Sequence, residues 1–188
     1  MKLRASGKLD MARAFVAAGS NINPGTNVRA AIRALAVHTP IVAISTVYRT
    51  RAEDRPGQPS FYNCILEVRT GIPALELKFQ VLRRIESDLG RRRTADKCAP
   101  RTIDLDLILY GDLVLKTTNL SLPDPQITDR PYLAIPLGEL APDLVLPGTA
   151  SRMAELAASL PSDKMSPLAA YTARLRREIE GKFRSLRA

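Results

Sequence analysis

The chain has 188 residues, 45% hydrophobic and 25% charged, with two cysteines, one histidine and a formal net charge of +9. That length suits one domain able to bury a substantial core, in the composition range of soluble globular proteins. Cys64 and Cys98 are too few and too far apart for a zinc motif or disulfide framework, His38 alone excludes a histidine metal cluster, and no apolar run approaches the ~18–20 residues that span a bilayer.

Residues 1–13 read as an N-terminal extension, with Lys2, Arg4, Lys8 and Arg13 against Asp10. No signal-peptide apolar region follows, so the cytoplasm is the expected compartment. Residues 14–165 are expected to form the domain. Ala14 to Ala18 reads as a buried strand ending in the turn signal Gly19-Ser20-Asn21. Asn27 to Val37 has helical periodicity through Val28, Ala31, Ile32 and Leu35, and His38 just beyond it fits a capping or surface role. Ile41 to Tyr48 is β-branched and strand-like, Thr50 to Ser60 is a polar loop, and Phe61 to Val68 is a further strand. Pro73 opens a second helix with an apolar stripe of Leu75, Phe79, Leu82, Ile85 and Leu89, and Gly90 stops it.

A basic segment follows: Arg91, Arg92, Arg93, Lys97 and Arg101. The next strand carries two aspartates two positions apart. Its alternation places Ile103, Leu105, Leu107 and Leu109 on one face and Thr102, Asp104, Asp106 and Ile108 on the other. Two like charges so close raise each other's pKa and call for a cation. Carboxylates beside a basic loop suit a divalent metal bridging to a polyphosphate, with arginines on the phosphate oxygens. An Asp-x-Asp can equally be the wet face of a half-buried sheet, and an arginine run is commonly a solvated loop, so the rest of the chain decides. Leu113 to Leu122 adds one or two short strands, and Pro131 to Leu140 and Ser151 to Leu160 read as short helices. Residues 166–188 read as a charged C-terminal helix whose alternating charges suggest a solvated face. Six Arg/Lys in residues 171–188 stand against Glu178 and Glu180, so the basic excess belongs largely to the chain ends and says little about the active surface.

The element order is β-α-β-β-α-β. That predicts an α+β, ferredoxin-like core, with an antiparallel sheet, helices on one face and additional helices completing a three-layer αβα arrangement.

With that order in place, Pro100-Arg101-Thr102-Ile103-Asp104-Leu105-Asp106-Leu107 resembles the signature of the 6-hydroxymethyl-7,8-dihydropterin pyrophosphokinase family. Phe15 to Asn21, Val47 to Thr50, Asn63, Glu86 and Gly90 to Arg93 match its further anchors in order, over about Ala14 to Leu146. The resemblance implies transfer of diphosphate from ATP to the hydroxymethyl group of the reduced pterin, releasing AMP. It implies that Asp104 and Asp106 hold two Mg²⁺ ions, with Asp106 the nearest candidate to assist deprotonation of the pterin hydroxyl. By the same resemblance Arg91, Arg93 and Arg101 are catalytic arginines. ATP contacts would come from Glu86, Arg93, Arg101, Leu107, Ser121 and Arg130, and pterin contacts from Thr50, Phe61, Asn63, Cys98 and Tyr132. The loop Arg91 to Arg101 would close over both substrates. A monomer that binds neither nucleic acid nor membrane is expected.

The chain departs from the family pattern at several positions. Cys98 stands where many members have a lid Trp, followed by Ala99 rather than Gly. Arg51 and Glu53 replace Pro and an apolar residue lining the pterin pocket. Asp124 follows Pro123 where His is usual, a change that opposes ATP binding unless a cation compensates. A divergent paralogue acting on a different pterin-like alcohol is therefore a second reading. A non-catalytic or nucleic-acid-binding ferredoxin-like protein is a third, but the Lys/Arg-Gly-aromatic strand motif of RNA-recognition modules is missing. No Walker A sequence or protein-kinase motif set occurs. Glu86 reads either as a helix-surface charge or as an organiser of the loop arginines.

Overall fold

The computed structural model describes residues 11–51, 57–96 and 99–185. Along the chain come β1 (Ala12–Ser20), α1 (Pro24–His38), β2 (Ile41–Ile44), β3 (Tyr48–Thr50) and β4 (Phe61–Thr70). Helix α2 is α-helical over Ala74–Glu76 and Arg83–Asp88 and π-helical between them, over Leu77–Leu82. Then follow β5 (Asp104–Tyr110), a short ribbon of β6 (Leu115–Lys116) and β7 (Ser121–Leu122), and a 3₁₀ turn over Pro125–Thr128. Helices α3 (Pro131–Leu140) and α4 (Met153–Ser159), strand β8 (Met165–Pro167) and helix α5 (Ala169–Ser185) complete the chain.

The sheet runs β5-β1-β4-β3-β8, with β2 also on β4, and every pairing in it is antiparallel. Strict alternation along β1 splits its side chains between two cores. Ala14, Val16 and Ala18 face α1 and α2, alongside Leu35, Leu66, Leu77, Leu82 and Leu105. Phe15 faces α3 and α4, alongside Ile65, Ile108, Leu133 and Leu137. The result is the expected α+β ferredoxin-like architecture in three layers.

Four expectations are corrected by packing. The single strand from Ile41 to Tyr48 is two strands that pair with successive parts of β4. Between them the backbone finds side-chain partners: Thr46 N–H donates to Glu139 (2.8 Å) and Val47 N–H to the Thr172 hydroxyl (2.9 Å). Leu109 does not share a face with Leu107. Phe15 pairs with Leu109 and Val16 with Leu107, so Ile108 is an extra residue and this bulge sends both Ile108 and Leu109 to the α3 side. The stripe of α2 also shifts: Leu75 is exposed, whereas Leu77, Lys78, Val81, Leu82, Ile85 and Glu86 are buried. A π-helical turn inserts an extra residue per turn and rotates the helix relative to the α-helical period. Helix α5 is more than a solvated face, since Thr172 and Leu175 are buried and Glu178 pairs with Arg29 and Arg33 of α1.

Candidate active site

Small residues open a hollow in the sheet. On the α3 side, Phe15 is capped by α3, but farther along β1 the same face carries only Ala17 and Gly19. Gly19 pairs with Asp104 on one side and with Asn63 on the other, and Ala17 pairs with Asp106 and Ile65. Directly paired residues of an antiparallel ladder project to the same face. Both carboxylates, the Asn63 amide and, through β3, Thr50 therefore ring one cavity of about 220 Å³, with Phe61, Asp124, Arg130 and Tyr132 also in its wall. A Cβ at Gly19 would stand 2.6 Å from Asn63 Oδ1, so any side chain there displaces that amide. Asn63 Nδ2 donates to the Thr50 hydroxyl at 2.7 Å.

The carboxylates are matched with cations. Asp104 accepts from both Arg91 and Arg101. Burial raises its carboxyl, but the Arg91 hydrogen bond and the two guanidinium charges outweigh that and bring it down to about 2. Asp106 is held by the Lys78 ammonium, which also donates to Leu105 C=O at 3.0 Å. Glu86 is only 1% exposed. It accepts from Leu105 N–H (2.8 Å), from Arg91 and from Arg93 (2.6 Å). Burial raises the Glu86 carboxyl, and its donors pull the other way. Of the two readings open for Glu86, a surface charge is thus excluded by its burial, and it gathers Arg91 and Arg93 against β5.

The Gly19-Ser20-Asn21 turn fixes the entry to β5. Asn21 Oδ1 accepts from Arg101 N–H at 2.8 Å, and Asn21 N–H donates back to Arg101 C=O at 3.2 Å. Ser20 donates to Thr102 C=O. The Asn21 amide also reaches Gln58 and Pro59 O (3.3 and 3.4 Å), tying together the loops that flank the cavity. The Arg101 guanidinium lies 5.9 Å from the Phe61 ring centroid.

The family model for 7,8-dihydro-6-hydroxymethylpterin-pyrophosphokinase matches residues 15–142. This chain belongs to that family. A 2-amino-4-hydroxy-6-hydroxymethyldihydropteridine pyrophosphokinase from Synechocystis is 38% identical over 83% of this chain and 80% of its own length. The enzyme of that name from Haemophilus influenzae is 34% identical over 74% and 88%. Among solved structures, a wild-type HPPK-DHPS from Plasmodium falciparum superposes with a TM-score of 0.62 at 12% identity, over 79% of this chain and 44% of that one; it bears on the fold alone. The family makes this chain an enzyme of the diphosphotransferase type.

Against that family, the residues expected in the pyrophosphokinase site divide into four groups. Thr50, Phe61, Asn63, Arg101, Asp104, Asp106, Arg130 and Tyr132 line the cavity. Arg91, Arg93 and Glu86 form the charged bundle beside it. Leu107 and Ser121 do not line it: the Leu107 side chain is buried on the opposite face, toward α1 and α2, and Ser121 belongs to the β6–β7 ribbon. Cys98, Glu53 and Lys97 lie outside the described residues. Asp124 does line the cavity, its carboxylate accepting from Gln126 N–H at 2.9 Å. Sequence reasoning missed Asn21 as a site organiser and Lys78 altogether. Asn21 was within reach, inside a recognised turn, whereas nothing in the apolar stripe of α2 marks Lys78.

Proposed function

We propose that this cavity and its charged bundle transfer a diphosphate from ATP to the hydroxymethyl group of 6-hydroxymethyl-7,8-dihydropterin, releasing AMP, in folate biosynthesis. The observation that carries the reading is the pair of carboxylates on one face of β5, beside arginines already gathered on Asp104 and Glu86. Such transfer depends on charge neutralisation and alignment more than on covalent chemistry from the protein.

Asp104 and Asp106 offer hard oxygen donors two residues apart on one face, a set that fits Mg²⁺ shared with phosphate oxygens. Among the described residues no group of three or more His, Cys, Asp or Glu side chains could hold a metal ion. Phosphate and water oxygens would therefore complete the coordination, as is usual for this cation. Bound there, Mg²⁺ (two ions in our reading) supplies charge neutralisation along the triphosphate.

The remaining work belongs to the protein. Arg91 and Arg101 hold Asp104 ionised, and they are the nearest guanidinium groups to hand over to phosphate oxygens as these arrive. Arg93 (half-exposed on Glu86) and Arg130 extend the same positive wall. Thr50 and Asn63 present hydrogen-bonding groups to a flat pterin ring, and Phe61 and Tyr132 present faces for stacking. Asp106 is the carboxylate through which the acceptor hydroxyl would lose its proton. The small side chains of Ala17 and Gly19 leave space for the ring against the sheet. No helix among the described residues is long and apolar enough to cross a membrane; a cytoplasmic monomer fits this reading.

The test is a coupled assay of AMP release from Mg·ATP, with and without 6-hydroxymethyl-7,8-dihydropterin. Pterin-dependent AMP, lost in Asp104→Asn and Asp106→Asn variants that still melt cooperatively, is the expected result. Nucleotide binding without pterin-dependent AMP would transfer the reading to a different pterin-like alcohol, for which Arg51 on the cavity wall gives a structural reason.

A further inference from the structure

Lys78 is a charged side chain in a place built for apolar ones. It sits in the π-helical segment of α2, among Leu77, Val81 and Leu82, and its side chain is 9% exposed. The ammonium has two partners there, Asp106 Oδ1 and Leu105 C=O. Asp106 itself is half-exposed toward the cavity, so one carboxylate faces a fixed protein cation on one side and open space on the other.

A second negative group lies close by. The Asp124 carboxyl, in the cavity wall, is pushed up by burial and by the charge of Asp106, and drawn down by the Gln126 N–H and then by the charge of Lys78. Asp104 is already balanced by Arg91 and Arg101. Asp106, Asp124 and Lys78 then set the charge at the far end of the pair, with the Arg130 guanidinium also in the cavity wall. Lys78 is the cation bonded to Asp106 itself, and its burial keeps it there when a metal arrives.

We propose that Lys78 is a positioning residue that sets divalent-cation affinity at the Asp104–Asp106 pair, competing with the metal for Asp106 and offsetting the added negative charge of Asp124. The inference rests on the reading of that pair as the Mg²⁺ site. It accounts for how this chain carries an aspartate at 124 beside a triphosphate: the extra carboxylate and the buried ammonium form a compensated set. It also predicts that the two residues act in opposite directions on the same equilibrium.

The experiment is a Mn²⁺ titration of the full chain followed by the electron paramagnetic resonance signal of free Mn²⁺, with thermal melts on every variant. K78Q keeps a donor for Leu105 C=O and removes the charge. It is expected to bind Mn²⁺ at least about tenfold more tightly than the parent chain, the lower end of what one neighbouring charge does to an ionisation equilibrium. K78R, which restores the charge, is expected to fall within roughly threefold of the parent, and D124N to bind more weakly. Unchanged or weaker binding in folded K78Q overturns the proposal. If K78Q fails to fold, K78R and D124N decide: tighter binding in K78R or unweakened binding in D124N overturns it. D106N separates this from the underlying reading. Mn²⁺ affinity that D106N leaves untouched sinks the metal site itself, and the Lys78 proposal with it. Affinity that D106N abolishes and K78Q does not tighten sinks Lys78 alone.

Discussion

Asn21 and Arg101 hold each other by the backbone: the Asn21 side-chain carbonyl accepts from Arg101 N–H, and Asn21 N–H donates back to Arg101 C=O. Asn21 is 2% exposed, so neither bond is exchanged readily for water. The guanidinium that holds Asp104 is thereby anchored at its own main chain, across 80 residues of sequence.

Replacing Asn21 with Ala removes that anchor and the ties to Gln58 and Pro59. The expected cost is about 1–3 kcal/mol in stability, with a fall in turnover of at least tenfold, because positioning rather than binding is lost. Thermal melts and AMP-release kinetics would measure the two. Asn21→Asp keeps the acceptor for Arg101 N–H and should recover part of the rate; an Ala variant with undiminished turnover would show that the anchor is dispensable.

Gly19→Ala tests the floor of the cavity. The new Cβ would meet Asn63 Oδ1 at 2.6 Å, which displaces Asn63 from Thr50. Loss of one good hydrogen bond to the ring corresponds to a roughly tenfold rise in KM for the pterin. The KM for ATP should stay near its parent value, and an equal rise in both would place Asn63 elsewhere in the reaction.

Glu86→Gln leaves an acceptor for Leu105 N–H but presents an amide where two guanidinium groups now find charge. Partners that orient catalytic groups in this way typically carry about 10–100-fold in activity. The loss should fall on kcat, with pterin KM little altered, and Glu86→Asp, too short to reach all three donors, should behave similarly. Steady-state kinetics with each substrate varied in turn would reveal it.

Alkaline pH should destabilise the fold before it affects the site. Burial pushes the Cys64 thiol from the ordinary 9.0 up to about 12, and burial likewise lifts the Tyr48 and Tyr171 hydroxyls to about 12. In each case the folded state keeps the proton that the unfolded chain releases. Their contribution is complete below about pH 9 and is lost as pH climbs toward 12. Melting temperatures measured from pH 7 to 11 should be level at first and then decline. In a Cys98→Ser background, the Cys64 thiol should resist a thiol reagent at pH 8 until denaturant is added; rapid labelling of the native chain would contradict its burial.

How much of this could be read beforehand depends on whether a feature is written in a short window. Asp104 and Asp106 were readable because period-two alternation survives up to Leu107. Leu109 was not, since the bulge at Ile108 is a property of pairing with β1 and not of β5 alone. The break at Ser45–Val47 depends on Glu139 and Thr172, more than ninety residues away. Strand β8 is three residues ending in Pro167, with no alternation to betray it; its register on β3 comes from the fold. Lys78 was hidden for a different reason. A helical wheel drawn at the α-helical period puts Leu75 inward, and the π-helical turn replaces it with Leu77 and Lys78.

That same helix has a consequence for solubility. β5 is the outer strand of the sheet, and the N–H and C=O of Leu105 point away from β1, the groups through which another chain could add a strand. Glu86 and Lys78 occupy both. The residues that arrange the charges of the site therefore also cover the polar groups of Leu105 on the sheet margin, and variants that remove them uncover a point where another strand could pair.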